Sequence, residues 1–127
     1  MPVQFLSEGW ANELKGRLNA DEEFKKSLGS KNATLLQVVG GGDGERRFWL
    51  QIDNGTVDLQ MGNLQSPDAT ITEDYETAVA LAQGQLNPVS AFMSGKIKIS
   101  GNMMLLMQLQ GPLTGLPRVM REMDVDY

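Results

Sequence analysis

The chain contains no cysteine and no histidine. The first absence removes any disulfide framework and any thiolate nucleophile, and the second removes the commonest general base and the commonest transition-metal ligand. Positive charge is also short: 11 basic residues stand against 16 acidic ones, a net charge of −5, which argues against a broad nucleic-acid face. No stretch approaches the ~20 apolar residues of a membrane span. The start, MPVQFLSEGW, has neither the basic residues nor the apolar run of a secretory leader, and the end, MDVDY, is unlike a Ser-Lys-Leu address. Together these features predict a cytoplasmic protein. A length of 127 residues predicts one domain, residues 1–127, able to bury about two thirds of its unfolded surface.

What is present is a succession of short amphipathic segments. Phe5, Leu6, Trp10, Leu14 and Leu18 fall close to helical spacing. Asn19 with Glu22 three residues later reads as the capping-box start of a second short helix that Gly29 ends. Ala33 to Val39 is rich in apolar and β-branched residues, and Arg46 to Asp53 alternates with Phe48, Leu50 and Ile52 on one face, so both read as strands. The glycine-rich loop between them, residues 40–44, lacks the Gly-Lys-Ser/Thr ending of a phosphate cradle and leads into a strand instead of a helix. Asn54-Gly55 is a two-residue hairpin signal joining that strand to Thr56 to Met61. Ala69 to Thr72 reads as a short strand. Thr72 then reads as the N-cap of a helix over Glu73 to Gln83, with Glu73, Asp74 and Glu76 favouring the dipole in its first turn.

The run from Asn87 to Leu109, NPVSAFMSGKIKISGNMMLLMQL, carries the most information. Asn87 and Pro88 suit the start of a short helix that Gly95 ends. Lys96 to Ser100 alternates polar and apolar residues, the period of a strand with one buried face. Gly101 and Asn102 turn into a further helix in which, from Met103 to Leu109, only Gln108 is polar. A helix apolar all round has to be covered, by the domain's own core, by a partner or membrane, or by an apolar ligand. Met93, Met103, Met104 and Met107 suit irregular apolar contents, although methionine at helical spacing is also ordinary core.

This segment resembles the signature region of the sterol carrier protein 2 family, also called non-specific lipid-transfer proteins. The likeness extends upstream through FWLQIDNGTVDL (Phe48 to Leu59), DATIT (Asp68 to Thr72) and the stretch Glu73 to Gly84, covering about Leu14 to Gln110. The resemblance implies an α+β fold with a mostly antiparallel five-stranded sheet, covered on one face by helices and enclosing an apolar tunnel. That tunnel would take a fatty acid, fatty acyl-CoA, phospholipid, isoprenoid or sterol-like ligand. Where animal members carry small residues, this chain has Met104 and Leu106, which implies a narrower tunnel suited to a flexible chain. The stretch 112–127 is read as a C-terminal helix or tail.

The expected function is therefore a lipid carrier with no enzymatic activity, no cofactor and no metal. The expected ligand-binding residues are Phe48, Leu50, Ile52, Val57, Leu59, Ile71, Ile97 and Ile99 from the sheet, with Phe92, Met103, Met104, Leu106 and Met107 from flanking helices. Asn102, at the start of the apolar helix, is a candidate head-group contact. The alternative is a non-catalytic accessory module whose apolar helix docks a partner protein or a membrane-associated complex. Expected partners are a long apolar small molecule and, transiently, a membrane, with no nucleic acid and with a monomer or weak homodimer as the assembly.

Overall fold

Alternating apolar residues build the sheet, and short capped helices close one side of it. In the computed structural model the described residues are all but Met1, Gly42, Asp43 and Asn87, together with the backbone only of Pro88, Val89, Leu106, Gln110, Pro112, Leu113 and Thr114. The elements in chain order are β1 (Val3–Gln4), α1 (Glu8–Ala20), α2 (Glu22–Leu28), β2 (Asn32–Gly40), β3 (Arg46–Asp53), β4 (Thr56–Met61) and β5 (Ala69–Asp74). They continue as α3 (Tyr75–Ala82), α4 (Pro88–Met93), β6 (Ile97–Gly101), α5 (Met103–Gln108), α6 (Gln110–Arg121) and β7 (Val125–Asp126). The large sheet runs in the order β4-β3-β2-β5-β6. Only β2 and β5 pair in parallel within it. The α+β class and five strands agree with the sequence expectation.

Turn chemistry sets the register. Asn54 and Gly55 both have positive φ, 48° and 86°, the primed hairpin turn whose twist matches its strands, and Asp53 faces Thr56 across it. Asp68 ties three strands at one end of the sheet. Its carboxylate accepts from the Thr34 N–H (2.9 Å), its N–H donates to the Thr34 carbonyl (3.0 Å), and its carbonyl accepts from the Asn102 N–H (2.9 Å). Gly101 lies against this junction with φ 105°, and a Cβ there would stand 2.6 Å from the Asp68 carbonyl oxygen, so only glycine fits.

The helices follow from their caps and stripes. Ser7 caps α1 by accepting from the Trp10 N–H at 3.2 Å, and the apolar stripe Trp10, Leu14 and Leu18 is fully buried. Asn19, at the end of α1, accepts from the Val57 N–H (2.9 Å) and donates to the Val57 carbonyl (2.8 Å), satisfying peptide groups that edge strand β4 would otherwise leave open. Asp21 caps α2, accepting from the Phe24 N–H at 2.9 Å, and takes a two-pronged contact from the Arg118 guanidinium at 2.9 and 3.1 Å. That contact holds the Asp21 carboxyl below the usual carboxylate range. It also fastens α6 to the α1–α2 corner. At the termini β1 and β7 pair in parallel, and Phe5 packs on Trp10, Tyr75 and Tyr127 with ring centroids 5.0–5.8 Å apart.

Three local expectations are corrected. Asp21, not Asn19, caps α2, because Asn19 is committed to the Val57 peptide groups. Asp74, not Thr72, caps α3, accepting from the Thr77 N–H at 2.7 Å. Strand β5 therefore runs on through Glu73 and Asp74, because ladder partners stand on both sides: Val39 and Gly40 in β2, and Ile97 in β6 facing Glu73. Pairing overrides the local helix signal. The expected cap Asn87 lies outside the described residues.

Candidate functional site

The register assigns one face of the sheet to the interior. Leu59, Leu50 and Leu35 form one row across β4, β3 and β2, and Val57, Ile52 and Ala33 form the next; all six are buried. Beyond them Phe48, Gln37, Ile71 and Ile99 make a row, followed by Val39, Glu73 and Ile97. Helix α1 lies on β4, and α6 packs on α1, α2 and α3, so this face looks into the space between sheet and helices.

The expected binding residues divide into two groups. Phe48, Leu50, Ile52, Val57, Leu59, Ile71 and Ile97 are buried on the inner face, with Ile99 partly buried beside them. Phe92 and Met103 are 41% and 42% exposed, while Met104 and Met107 are 73% and 74% exposed. Together with Met93, 79% exposed, they leave large apolar side chains open on α4 and on α5, the helices before and after β6. Met104 is therefore exposed and does not narrow an interior tunnel, and α5, which contacts α6, is not covered by the domain's own core at Met104 and Met107, which leaves a partner, a membrane or a ligand as the cover. The Leu106 side chain lies outside the described residues. Asn102 is exposed, and its side-chain oxygen accepts from the Leu105 N–H at 3.1 Å. It caps α5, which leaves its oxygen engaged in the helix's own first turn.

Two polar side chains on the inner face were missed. Gln37 is only 7% exposed, directly opposite Phe48 on one side and Ile71 on the other. Glu73 is partly buried between Val39 and Ile97. Neither side chain has a hydrogen-bond partner among the described residues. Burial pushes the Glu73 carboxyl up to about 7, helped by the neighbouring Asp74 charge. Asp74 moves the other way, because its carboxylate accepts the α3 cap bonds. The signal for Gln37 was available: in the run 33, 35, 37, 39 it is the polar residue at an inward period-two position.

A cavity of about 420 Å³ lies beside the β2–β3 loop, lined by Gln4, Phe5, Leu6, Val39, Gly41, Gly44, Glu45, Arg46 and Tyr75, and none of the expected binding residues lines it. That volume is within the range of small-molecule sites. Among the described residues no cluster of acidic side chains could hold a metal ion, and no helix is long and apolar enough to cross a membrane.

A five-stranded sheet with one mostly apolar face under helices defines a small α+β domain. Residues 11–114 match the model of the SCP-2 sterol transfer family, and the chain belongs to that family. It is 35% identical over 117 residues to human sterol carrier protein 2, covering 87% of this chain and 21% of that protein. It is 30% identical over 110 residues to the non-specific lipid-transfer protein-like 1 of Caenorhabditis elegans, covering 85% of this chain and 90% of that one. The chain thus spans about a fifth of the length of the human relative. Among solved structures, a crystal structure of sterol carrier protein 2 superposes with a TM-score of 0.82 at 22% identity, covering 94% of this chain and 99% of that one. A palmitated SCP2L2 from Aedes aegypti superposes with a TM-score of 0.67 at 23% identity, covering 84% and 92%.

Proposed function

We propose that this domain shelters a long-chain lipid between the inner face of its sheet and its helices, and exchanges it with membranes through the exposed methionine surface. The observation that carries the reading is the pairing of a largely apolar inner sheet face with large apolar side chains left exposed on α4 and on α5, the helices before and after edge strand β6. The palmitated mosquito relative supports an acyl chain as one occupant of this fold. Removing a chain of about sixteen carbons from water is worth on the order of 10 kcal/mol at ~0.8 kcal/mol per methylene. Loss of ligand freedom takes back several kcal/mol, leaving roughly micromolar binding with little shape discrimination. The activity is sequestration, with no bond made or broken.

The membrane step rests on Phe92, Met93, Met103, Met104 and Met107, with exposed Lys96 and Lys98 beside them. Each lysine close to an anionic bilayer contributes roughly 1 kcal/mol of attraction, while the net charge of −5 disfavours the rest of the surface. The reading is tested by titrating the purified protein with a fluorescent long-chain fatty acid and measuring its transfer to neutral and to anionic vesicles. A single saturable site and faster transfer to anionic vesicles are expected. A folded protein that binds no acyl chain contradicts the carrier reading, and equal transfer rates to both vesicle types contradict the membrane step.

A further inference from the structure

We propose that Gln37 and Glu73 form a polar station on the inner face that holds the ligand's head and selects a neutral hydroxyl over a carboxylate. The inference rests on the lipid-carrier reading and adds the chemistry of the head group. Gln37 and Val39 follow one another on the inner face of β2, with Ile71 and Glu73 beside them on β5, so Gln37 and Glu73 are diagonal neighbours across one parallel ladder. Diagonal pairs of this kind lie about 7–8 Å apart at the backbone, which leaves room for one small polar group between the side-chain ends. Phe48, Ile71 and Ile97 surround the pair with buried apolar surface. Val39, the ladder partner of Glu73, lines the 420 Å³ cavity, while Gln37 and Glu73 themselves do not.

The Gln37 amide and the Glu73 carboxyl have no hydrogen-bond partner among the described residues, and their polar atoms keep some contact with solvent, so both are free to take a ligand group. One hydroxyl satisfies both: its O–H donates to a Glu73 carboxylate oxygen, and its oxygen accepts from the Gln37 amide. A ligand carboxylate in the same place meets the Glu73 charge and fits only when the two carboxyls share a proton. Among the charged groups nearby, Arg46 on β3 faces Val39 in the same row and lines the cavity with Glu45, but it is exposed, so solvent screens its charge. Asp74 on the same strand as Glu73 adds a second negative charge, which helps push the Glu73 carboxyl up. On β6, Lys98 faces Thr72 in the register and so lies on the outer side, while Lys96 acts on Asp74. Strand β2 presents Val38, Val39 and Gly40, and α3 opens with Tyr75 and Glu76.

The test compares dodecanol with dodecanoic acid by calorimetry at about pH 5.5 and about pH 8.5, a window above the ordinary carboxylate pKa of the free acid. In the parent protein the preference for the alcohol should grow by about tenfold from the lower to the higher pH, the effect of one pK unit of like-charge interaction. Glu73→Gln should hold the ratio constant, and Gln37→Leu should weaken dodecanol binding several-fold while keeping the pH trend. A pH-independent ratio in the parent, or an unchanged trend in Glu73→Gln, overturns the inference and leaves lipid binding intact. Failure of both ligands to bind overturns the carrier reading with it. Should a variant not fold, carboxyl-labelled NMR of the parent decides: dodecanol must lower the Glu73 titration midpoint, and an unmoved midpoint overturns the proposal.

Discussion

Helices α1 and α5 are both rich in apolar residues, yet the structure treats them oppositely. In α1 the stripe Trp10, Leu14 and Leu18 is fully buried, its polar face is bridged by the Glu13–Arg17 pair, and Asn19 fastens its end to the edge strand. In α5, Met104 and Met107 are about three quarters exposed, and the helix is six residues long with Asn102 as its cap. Burial in α1 is an investment in stability. The exposed apolar area of α5 gives the folded chain no such return, which is why its role is sought in contact with lipid and membrane.

The largest difference should appear in stability. Trp10→Ala removes a fully buried ring that packs edge-on against Phe5 and Phe48 at 5.2 Å each, and should cost about 3–5 kcal/mol by urea unfolding. A loss below about 1 kcal/mol would mean the α1 side is not the stability core. Gly101→Ala follows, because it combines a φ of 105° with a Cβ placed 2.6 Å from the Asp68 oxygen. The backbone strain alone is about 1–3 kcal/mol, read as a lowered Tm. An unchanged Tm would show that β6 enters α5 by a different turn.

A third effect is set by pH. The Glu73 carboxyl is raised from 4.5 to about 7 in the folded state, so between those values the folded chain binds more protons than the unfolded one. Stability should therefore fall as pH rises from about 4.5 to about 7 and then level off, by at most on the order of 3 kcal/mol. Glu73→Gln should remove that slope, and an identical slope in the variant would assign it to another group. The smallest stability effect belongs to α5: Met104→Ser with Met107→Ser should change unfolding by no more than about 0.5 kcal/mol per site while reducing association with anionic vesicles. A large stability loss there would place these methionines in a packed core.

The sheet was legible because its signals are local. Phe48, Leu50 and Ile52 alternate, Asn54-Gly55 specifies its turn, and Lys96 to Ser100 alternates again. The start of α3 was not legible, since Thr72 and Asp74 are both good caps and only the partners Val39 and Ile97 decide that Glu73 belongs to a strand. That misplacement hid an inward carboxyl as a dipole-favouring acid. Gln37 was legible in principle, as one amide at an inward period-two position of an otherwise apolar run. The β1–β7 pairing joins Val3 to Val125 over two residues, too short for any period to reveal. The methionine-rich helix was correctly bounded, but pattern alone does not say whether an apolar face meets a core or the solvent.

The central claim is that the ligand lies against the inner face of the sheet. Methyl-resolved NMR with selective labelling of isoleucine, leucine and valine, titrated with a long-chain alcohol, tests it most directly. The account predicts saturable shifts at Leu50, Ile71, Ile97 and Ile99, with the outward-facing methyls of Leu36 and Val38 unmoved. Shifts confined to Leu36 and Val38, or saturation with no change at Ile71 and Ile97, would contradict it.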